Sequence, residues 1–171
     1  MPLYFAYGSN MDVAAMTSRC PRSKALGPAR LPRHRLAVMR EGWLTASRDA
    51  RGEVHGVLWE VAFADLLALD RYEGLASGLY VKFSQPVIAA SGPKRALIYF
   101  GANNGPGAAK ADYIADVLKA ARAWGLPYAT ITRLEALAAQ AGVVDPGKVA
   151  PARQATTPNV RTLFATPLDR K

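Results

Sequence analysis

The chain has 171 residues, half of them apolar and a fifth charged. That length and balance fit one globular domain with one core and exclude wholesale disorder. No apolar run approaches the roughly 20 residues of a membrane span, and Met1–Asn10 has no basic start and too short an apolar stretch for a signal peptide. A mature cytoplasmic protein is therefore expected. The single cysteine, Cys20, rules out an internal disulfide and reads as a small buried side chain. His34 and His55 stand apart from it without metal-ligand spacing, so no metal is expected.

The net charge is +9. From Val13 to Arg40 the chain carries Arg19, Arg22, Lys24, Arg30, Arg33, Arg35 and Arg40 with no acidic residue. Such a run invites a nucleic-acid reading. It lacks the interleaved aromatics that stack on bases, and no nucleic-acid motif accompanies it. A solvated basic face, or a field that draws in an anionic small substrate, fits better.

In chain order, Leu3–Tyr7 is a short apolar and aromatic strand, broken by Gly8-Ser9-Asn10 because Gly and Asn tolerate positive φ. Asp12–Thr17 reads as a short helix with Asn10 or Asp12 as cap. Pro21, Pro28 and Pro32 are expected to keep the next stretch irregular. His34–Met39 and Trp43–Ser47 read as strands, Asp49–Gly52 as a turn, and Glu53–Val61 as the clearest strand, with Val57, Trp59 and Val61 on one face. Phe63–Tyr72 switches to helical period. Leu66, Leu69 and Glu73 then share a face, and Gly74 stops the helix. Leu79–Phe83, Val87–Ala90 and Ala96–Phe100 are strand candidates punctuated by Pro86 and Ser91-Gly-Pro93. Helices follow over Lys110–Trp124, stopped by Gly125 and Pro127, and over Ala129–Ala141, stopped by Gly142. Residues 1–142 form the expected domain. Residues 143–171, interrupted by four prolines, read as an irregular or disordered basic tail in which Val160–Phe164 can still dock. Strands with inserted helices make the fold class α+β.

Three features bear on chemistry. The Tyr7-Gly8-Ser9-Asn10 turn can aim consecutive backbone N–H groups at an anion, and glycine lets a ligand approach closely. It can equally be a plain strand-to-helix turn, and without a G-x-S-x-G elbow Ser9 is not read as a nucleophile. Glu73, if it lies on the buried face, carries a carboxyl whose pKa rises by desolvation, which suits a general acid/base. Turned outward or paired with Arg it would be inert. Asp70 and Arg71 read as a solvated flank, so a two-carboxylate glycosidase has little support. Tyr80, Tyr99 and Tyr113 are amphipathic aromatics of the kind that line pockets, as well as ordinary core.

Taken together, Tyr4-Phe-Ala-Tyr-Gly-Ser-Asn-Met11, Leu69-Asp-Arg-Tyr-Glu-Gly74 and Gly78-Leu-Tyr80 resemble the γ-glutamylcyclotransferase family. Val54-His-Gly-Val-Leu-Trp59 resembles its strand before the acidic helix, and Trp124-Gly-Leu-Pro127 its late helix-to-loop junction. The resemblance spans about residues 2–140. It implies a small mixed β-barrel flanked by helices and a cofactor-free conversion of a γ-glutamyl compound to 5-oxoproline plus a free amino acid or amine, within glutathione metabolism. By position it implies that Tyr7, Gly8, Ser9 and Asn10 bind the γ-glutamyl group, that Glu73 is the acid/base, and that Tyr80, Tyr99 and Tyr113 line the pocket. The partner expected is this small molecule, with the protein a monomer or homodimer. The Tyr-Gly-Ser-Asn form differs from the Tyr-Gly-Ser-Leu of the glutathione-specific branch and the Tyr-Gly-Thr-Leu of the γ-glutamylamine branch. A non-catalytic binding module of the same fold is the alternative.

Overall fold

The computed structural model describes residues 1–143. Five strands close into a barrel in the order β1-β3-β2-β4-β5. They are β1 (Leu3–Ala6), β2 (Lys24–Val38), β3 (Leu44–Glu60), β4 (Tyr80–Ala89) and β5 (Gly92–Gly101). Neighbours pair antiparallel, except that β1 meets β5 in parallel at Tyr4 and Leu97, which closes the barrel. Four helices flank it: α1 (Val13–Arg19), α2 (Phe63–Tyr72), α3 (Ala111–Ala123) and α4 (Tyr128–Gln140). The α+β class and the mixed barrel expected from the resemblance are the observed architecture.

The strands are longer than their local sequence signals. The stretch expected to be irregular around Pro28 and Pro32 is strand, within β2. Two features allow it. Pairing of β2 with β4 is confined to Ala29–Ala89 and Arg30–Ile88, so much of that edge needs no N–H donor. Register shifts at Ala25/Gly27 and Pro32/His34 absorb the misfit, the second at Arg33 with φ of 58°. The expected Asp49–Gly52 turn bends β3 without ending it. His34 pairs with Arg48 and Pro32 with Glu53, so the four residues between bulge opposite Arg33. The Arg51 N–H donates to Asp49 Oδ1 at 3.0 Å inside the bulge. Gly52 lies so close that a Cβ would stand 2.5 Å from the His34 carbonyl oxygen. The two strands expected either side of Pro86 likewise merge into β4, and Pro86 sits where β4 has no β2 partner.

Helix limits agree with the expected ones to within two residues. Asp12, not Asn10, caps α1: its Oδ1 accepts the Ala15 N–H at 2.7 Å. Gly74, at φ of 64°, follows the α2 terminus in the left-handed conformation that stops a helix. Buried Asp65 of α2 accepts from the Arg22 N–H and the Ser23 hydroxyl at 2.9 and 2.8 Å, fixing the chain after α1 against α2. The indole N–H of Trp124, at the end of α3, donates to the Met11 carbonyl at 2.7 Å and anchors the turn after β1. Buried side chains of strands and helices form one continuous core that includes Phe5, Met16, Leu69, Ile98, Ile114 and Leu134. Cys20 is a buried free thiol within it. The expected tail and its Val160–Phe164 segment lie outside the described residues, apart from Val143, whose N–H donates to the Ala138 carbonyl. Among the described residues no helix is long and apolar enough to cross a membrane, and no cluster of His, Cys, Asp and Glu fits a metal ion.

Candidate active site

The end of β1, the end of α2 and the starts of β3 and β4 converge on a cavity of about 190 Å³. That is below the roughly 300–1,000 Å³ usual for a drug-sized ligand, so the site suits a small molecule. The structure brings all eight sequence-read residues to this wall: Tyr7, Gly8, Ser9, Asn10, Glu73, Tyr80, Tyr99 and Tyr113. Tyr4, Trp43, Leu44, Tyr72 and Leu79 complete the lining.

The turn after β1 tightens into a single 3-10 turn at Ser9–Met11, held by Met11 N–H to Gly8 O and Asp12 N–H to Ser9 O. The first N–H groups of such a turn have no partner within it. Gly8 is required by a close neighbour. A Cβ there would stand 2.7 Å from the Tyr113 hydroxyl, which lies across the turn from α3.

Glu73 is the one carboxylate in the lining. It ends α2 with its N–H on the Leu69 carbonyl, and buried Leu69 sits one turn earlier on the same face. Its Oε1 accepts from Asn10 Nδ2 at 2.8 Å and from the Tyr4 hydroxyl at 3.1 Å. Asn10 Nδ2 also donates to that hydroxyl at 3.1 Å, so three side chains close a triangle on one oxygen. Asn10 and Tyr4 are both buried. Desolvation pushes the Glu73 carboxyl up to about 7, although the bonds from Tyr4 and Asn10 and the charge of Arg19 pull the other way. A carboxyl with that pKa both takes and gives a proton near neutrality.

Three of the tyrosines, Tyr7, Tyr80 and Tyr113, are held by the backbone. Tyr7 donates to the Tyr99 carbonyl, and Tyr80 donates to the Leu44 carbonyl at 2.7 Å. The Leu44 N–H donates to the Tyr113 hydroxyl at 3.3 Å, so Tyr80 and Tyr113 clasp the residue that opens β3. Trp43 stands edge-on to Tyr113, and Lys110 Nζ lies 3.7 Å from the Trp43 ring centre. Burial raises Tyr4, Tyr7, Tyr80, Tyr99 and Tyr113 above the usual phenol value. All five stay neutral near pH 7.

Asp70 departs from the solvated flank expected of it. Lys82 of β4 donates to its two oxygens at 2.7 and 2.8 Å, and the Tyr99 hydroxyl of β5 donates to Oδ1. Both partners come from strands that local sequence does not bring to α2. Arg71 is exposed as expected. Of the residues that sequence reasoning missed, Tyr4 had a signal: it opens the quoted motif and sits three before Tyr7. Strict strand alternation would put the two on opposite faces. Tyr7 lies beyond the last residue of β1, so the alternation no longer holds there. Tyr72 had the same kind of signal, since it directly precedes Glu73 inside the Leu69–Gly74 motif, whereas Arg19 and Trp43 had none. Within the basic run, Lys24 pairs with Glu60 and Arg30 with Glu53, while Arg19 faces the site.

The family profile described as "Gamma-glutamyl cyclotransferase, AIG2-like" matches residues 4–124, a span that holds every residue read as a site residue. A γ-glutamylcyclotransferase of Bos taurus is 32% identical over 100 residues, covering 53% of this chain and 53% of its own length. The Homo sapiens protein of the same name gives the same identity and coverage. The chain thus spans about half the length of the curated relatives it matches. A solved γ-glutamyl cyclotransferase superposes with a TM-score of 0.73 at 28% identity, over 78% of this chain and 86% of its own. YkqA of Bacillus subtilis, at 22% identity and a TM-score of 0.68, covering 81% of this chain and 54% of its own, shares the fold. The profile match covers well over half the chain, and the chain belongs to the AIG2-like γ-glutamyl cyclotransferase family.

Proposed function

We propose that this chain converts a γ-glutamyl amino acid or amine to 5-oxoproline and the free amino acid or amine. The observation that carries the reading is Glu73: a single carboxylate in a small tyrosine-lined cavity, raised to about 7 and facing the turn after β1. In this reading the turn holds the γ-glutamyl group, its leading N–H groups on the α-carboxylate or the developing oxyanion. Ser9 adds a hydroxyl for positioning. The substrate is bent until its own α-amine faces its γ-carbonyl, and the attack gains from that proximity.

The neutral α-amine attacks the carbonyl carbon of the γ-amide, and Glu73 takes one of its two protons as the new C–N bond forms. Glu73 then gives that proton to the departing nitrogen as the old C–N bond breaks. A lactam and an amine result, no water is consumed, and Glu73 returns to its carboxylate form. Both Asn10 and Tyr4 bond to Oε1, which leaves Oε2 for the moving proton. Tyr7, Tyr80 and Tyr113 hold the wall in shape through bonds to the backbone.

The test is a mass-spectrometric screen for 5-oxoproline over γ-glutamyl dipeptides, glutathione and γ-glutamyl amines. Release from at least one class is expected from the wild type, and none from Glu73→Gln. Saturable binding of these compounds without turnover would favour the non-catalytic module.

A further inference from the structure

Arg19, in the last turn of α1, touches both halves of the site and is assigned no part in the chemistry above. Its Nη1 donates to Asn10 Oδ1 at 2.5 Å, and its guanidinium carbon lies 3.6 Å from the centre of the Tyr72 ring. Tyr72 in turn meets the Ser9 hydroxyl through its own at 2.9 Å. One half-buried cation therefore bridges the turn after β1 and the end of α2.

The contact decides a binary choice. An asparagine amide has nearly the same shape when its oxygen and nitrogen are exchanged. Flipped, Asn10 would present Oδ1 to Glu73 Oε1, oxygen against oxygen, and the triangle with Tyr4 would lose its donor. A guanidinium has donors only, so it accepts nothing from Nδ2 and bonds only to Oδ1. Its presence on one side of Asn10 forces Nδ2 onto the other, toward Tyr4 and Glu73. The residues just after Arg19 are bound to α2 through Asp65, so its reach is fixed by the fold.

We propose that Arg19 is a positioning residue for the Glu73 site, which fixes the orientation of the Asn10 amide and packs Tyr72 over Ser9. The catalytic part of this rests on the reading of Glu73 as acid/base; the structural part does not. The charged groups that act on Glu73 are Arg19 from α1 and Asp70 from α2, in opposite senses. The tyrosines of β1, β4, β5 and α3 around it are neutral.

The experiment follows the Glu73 carboxyl by ¹³C NMR titration in wild type, Arg19→Gln and Arg19→Lys, with the signal assigned by Glu73→Gln, beside the pH dependence of kcat/KM. Glutamine lacks the charge and offers an acceptor as well as donors, so the amide is free to flip. Arg19→Gln is expected to move the Glu73 titration up by about one pH unit, to carry the acid limb of kcat/KM with it, and to lower kcat by about 10- to 100-fold with a smaller change in KM. Lysine keeps the charge and the donor-only character, and Arg19→Lys is expected to restore most of the titration. A folded Arg19→Gln variant in which Glu73 titrates as in wild type overturns the proposal. Should Arg19→Gln not fold, the wild type decides: the ¹⁵N signals of the Arg19 guanidinium and the Asn10 amide must follow the Glu73 titration, and their failure to do so overturns it. Wild-type silence on every γ-glutamyl substrate would sink the proposed function, and the NMR titration would still decide the role of Arg19.

Discussion

Asn10 Nδ2 lies 2.8 Å from Glu73 Oε1 and joins two segments 63 residues apart in the chain. Neither segment is a site alone. The bond makes the turn after β1 and the end of α2 one surface, and it stabilises the ionised form of a carboxyl that burial opposes. Asn10→Ala removes that donor. The acid limb of kcat/KM is expected to rise above its wild-type position, with activity below neutral pH falling most. A pH–rate series of the two proteins checks this.

Glu73 also leaves a mark on stability. Its folded pKa, about 7, lies above the 4.5 of an ordinary glutamate. Between those values the unfolded chain has already released the proton that the folded chain retains. Glu73 therefore contributes stability at low pH that is lost as pH rises from about 4.5 through about 7. Glu73→Gln lacks this loss. Relative to wild type it should gain about 3 kcal/mol across that window, and thermal melts at pH 4.5 and pH 8 would read the difference. A gap between the two proteins that stays constant with pH would contradict the raised pKa.

Gly8 gives a steric test. A Cβ at this position meets the Tyr113 hydroxyl at 2.7 Å, and that hydroxyl accepts from the Leu44 N–H. Gly8→Ala must displace Tyr113 from the cavity wall. A stability cost of about 1–3 kcal/mol is expected, together with weaker substrate binding. Gly8→Ala with Tyr113→Phe should recover part of the loss, because the ring no longer carries the clashing oxygen. Chemical denaturation and KM for the single and double variants measure it.

Asp65 tests the scaffold away from the chemistry. Its buried carboxylate accepts from Arg22 and Ser23. Asp65→Ala leaves those donors without their acceptor and should cost about 1–3 kcal/mol. The end of α1 and Arg19 with it would loosen, so the variant should also lose activity at temperatures where it remains folded. Circular dichroism melts beside activity assays separate the two effects.

The parts of this site that were legible in the sequence are those a few neighbouring residues determine. The Tyr7–Asn10 turn follows its strand directly. Glu73 follows from the helical spacing after Leu66 and Leu69, with Gly74 as the stop. What escaped depends on which strands pair. Asp70 looked solvated because Lys82 and Tyr99 reach it only once β4 and β5 lie beside α2. Tyr4 and Arg19 looked like strand core and surface charge because their partners, Glu73 and Asn10, come together only on folding. The lengths of β2, β3 and β4 escaped for a different reason. Proline and turn signals are local, whereas the bulges and unpaired edge stretches that tolerate them belong to the sheet.

The most direct measurement is release of 5-oxoproline by purified wild-type protein and Glu73→Gln from the same γ-glutamyl substrate, with binding of that substrate followed by calorimetry. The wild type should release 5-oxoproline and the leaving amino acid or amine in equal amounts. Glu73→Gln should bind the substrate comparably and turn it over about 10²- to 10⁴-fold more slowly. A Glu73→Gln variant as fast as the wild type would contradict the assignment of the proton transfers to Glu73.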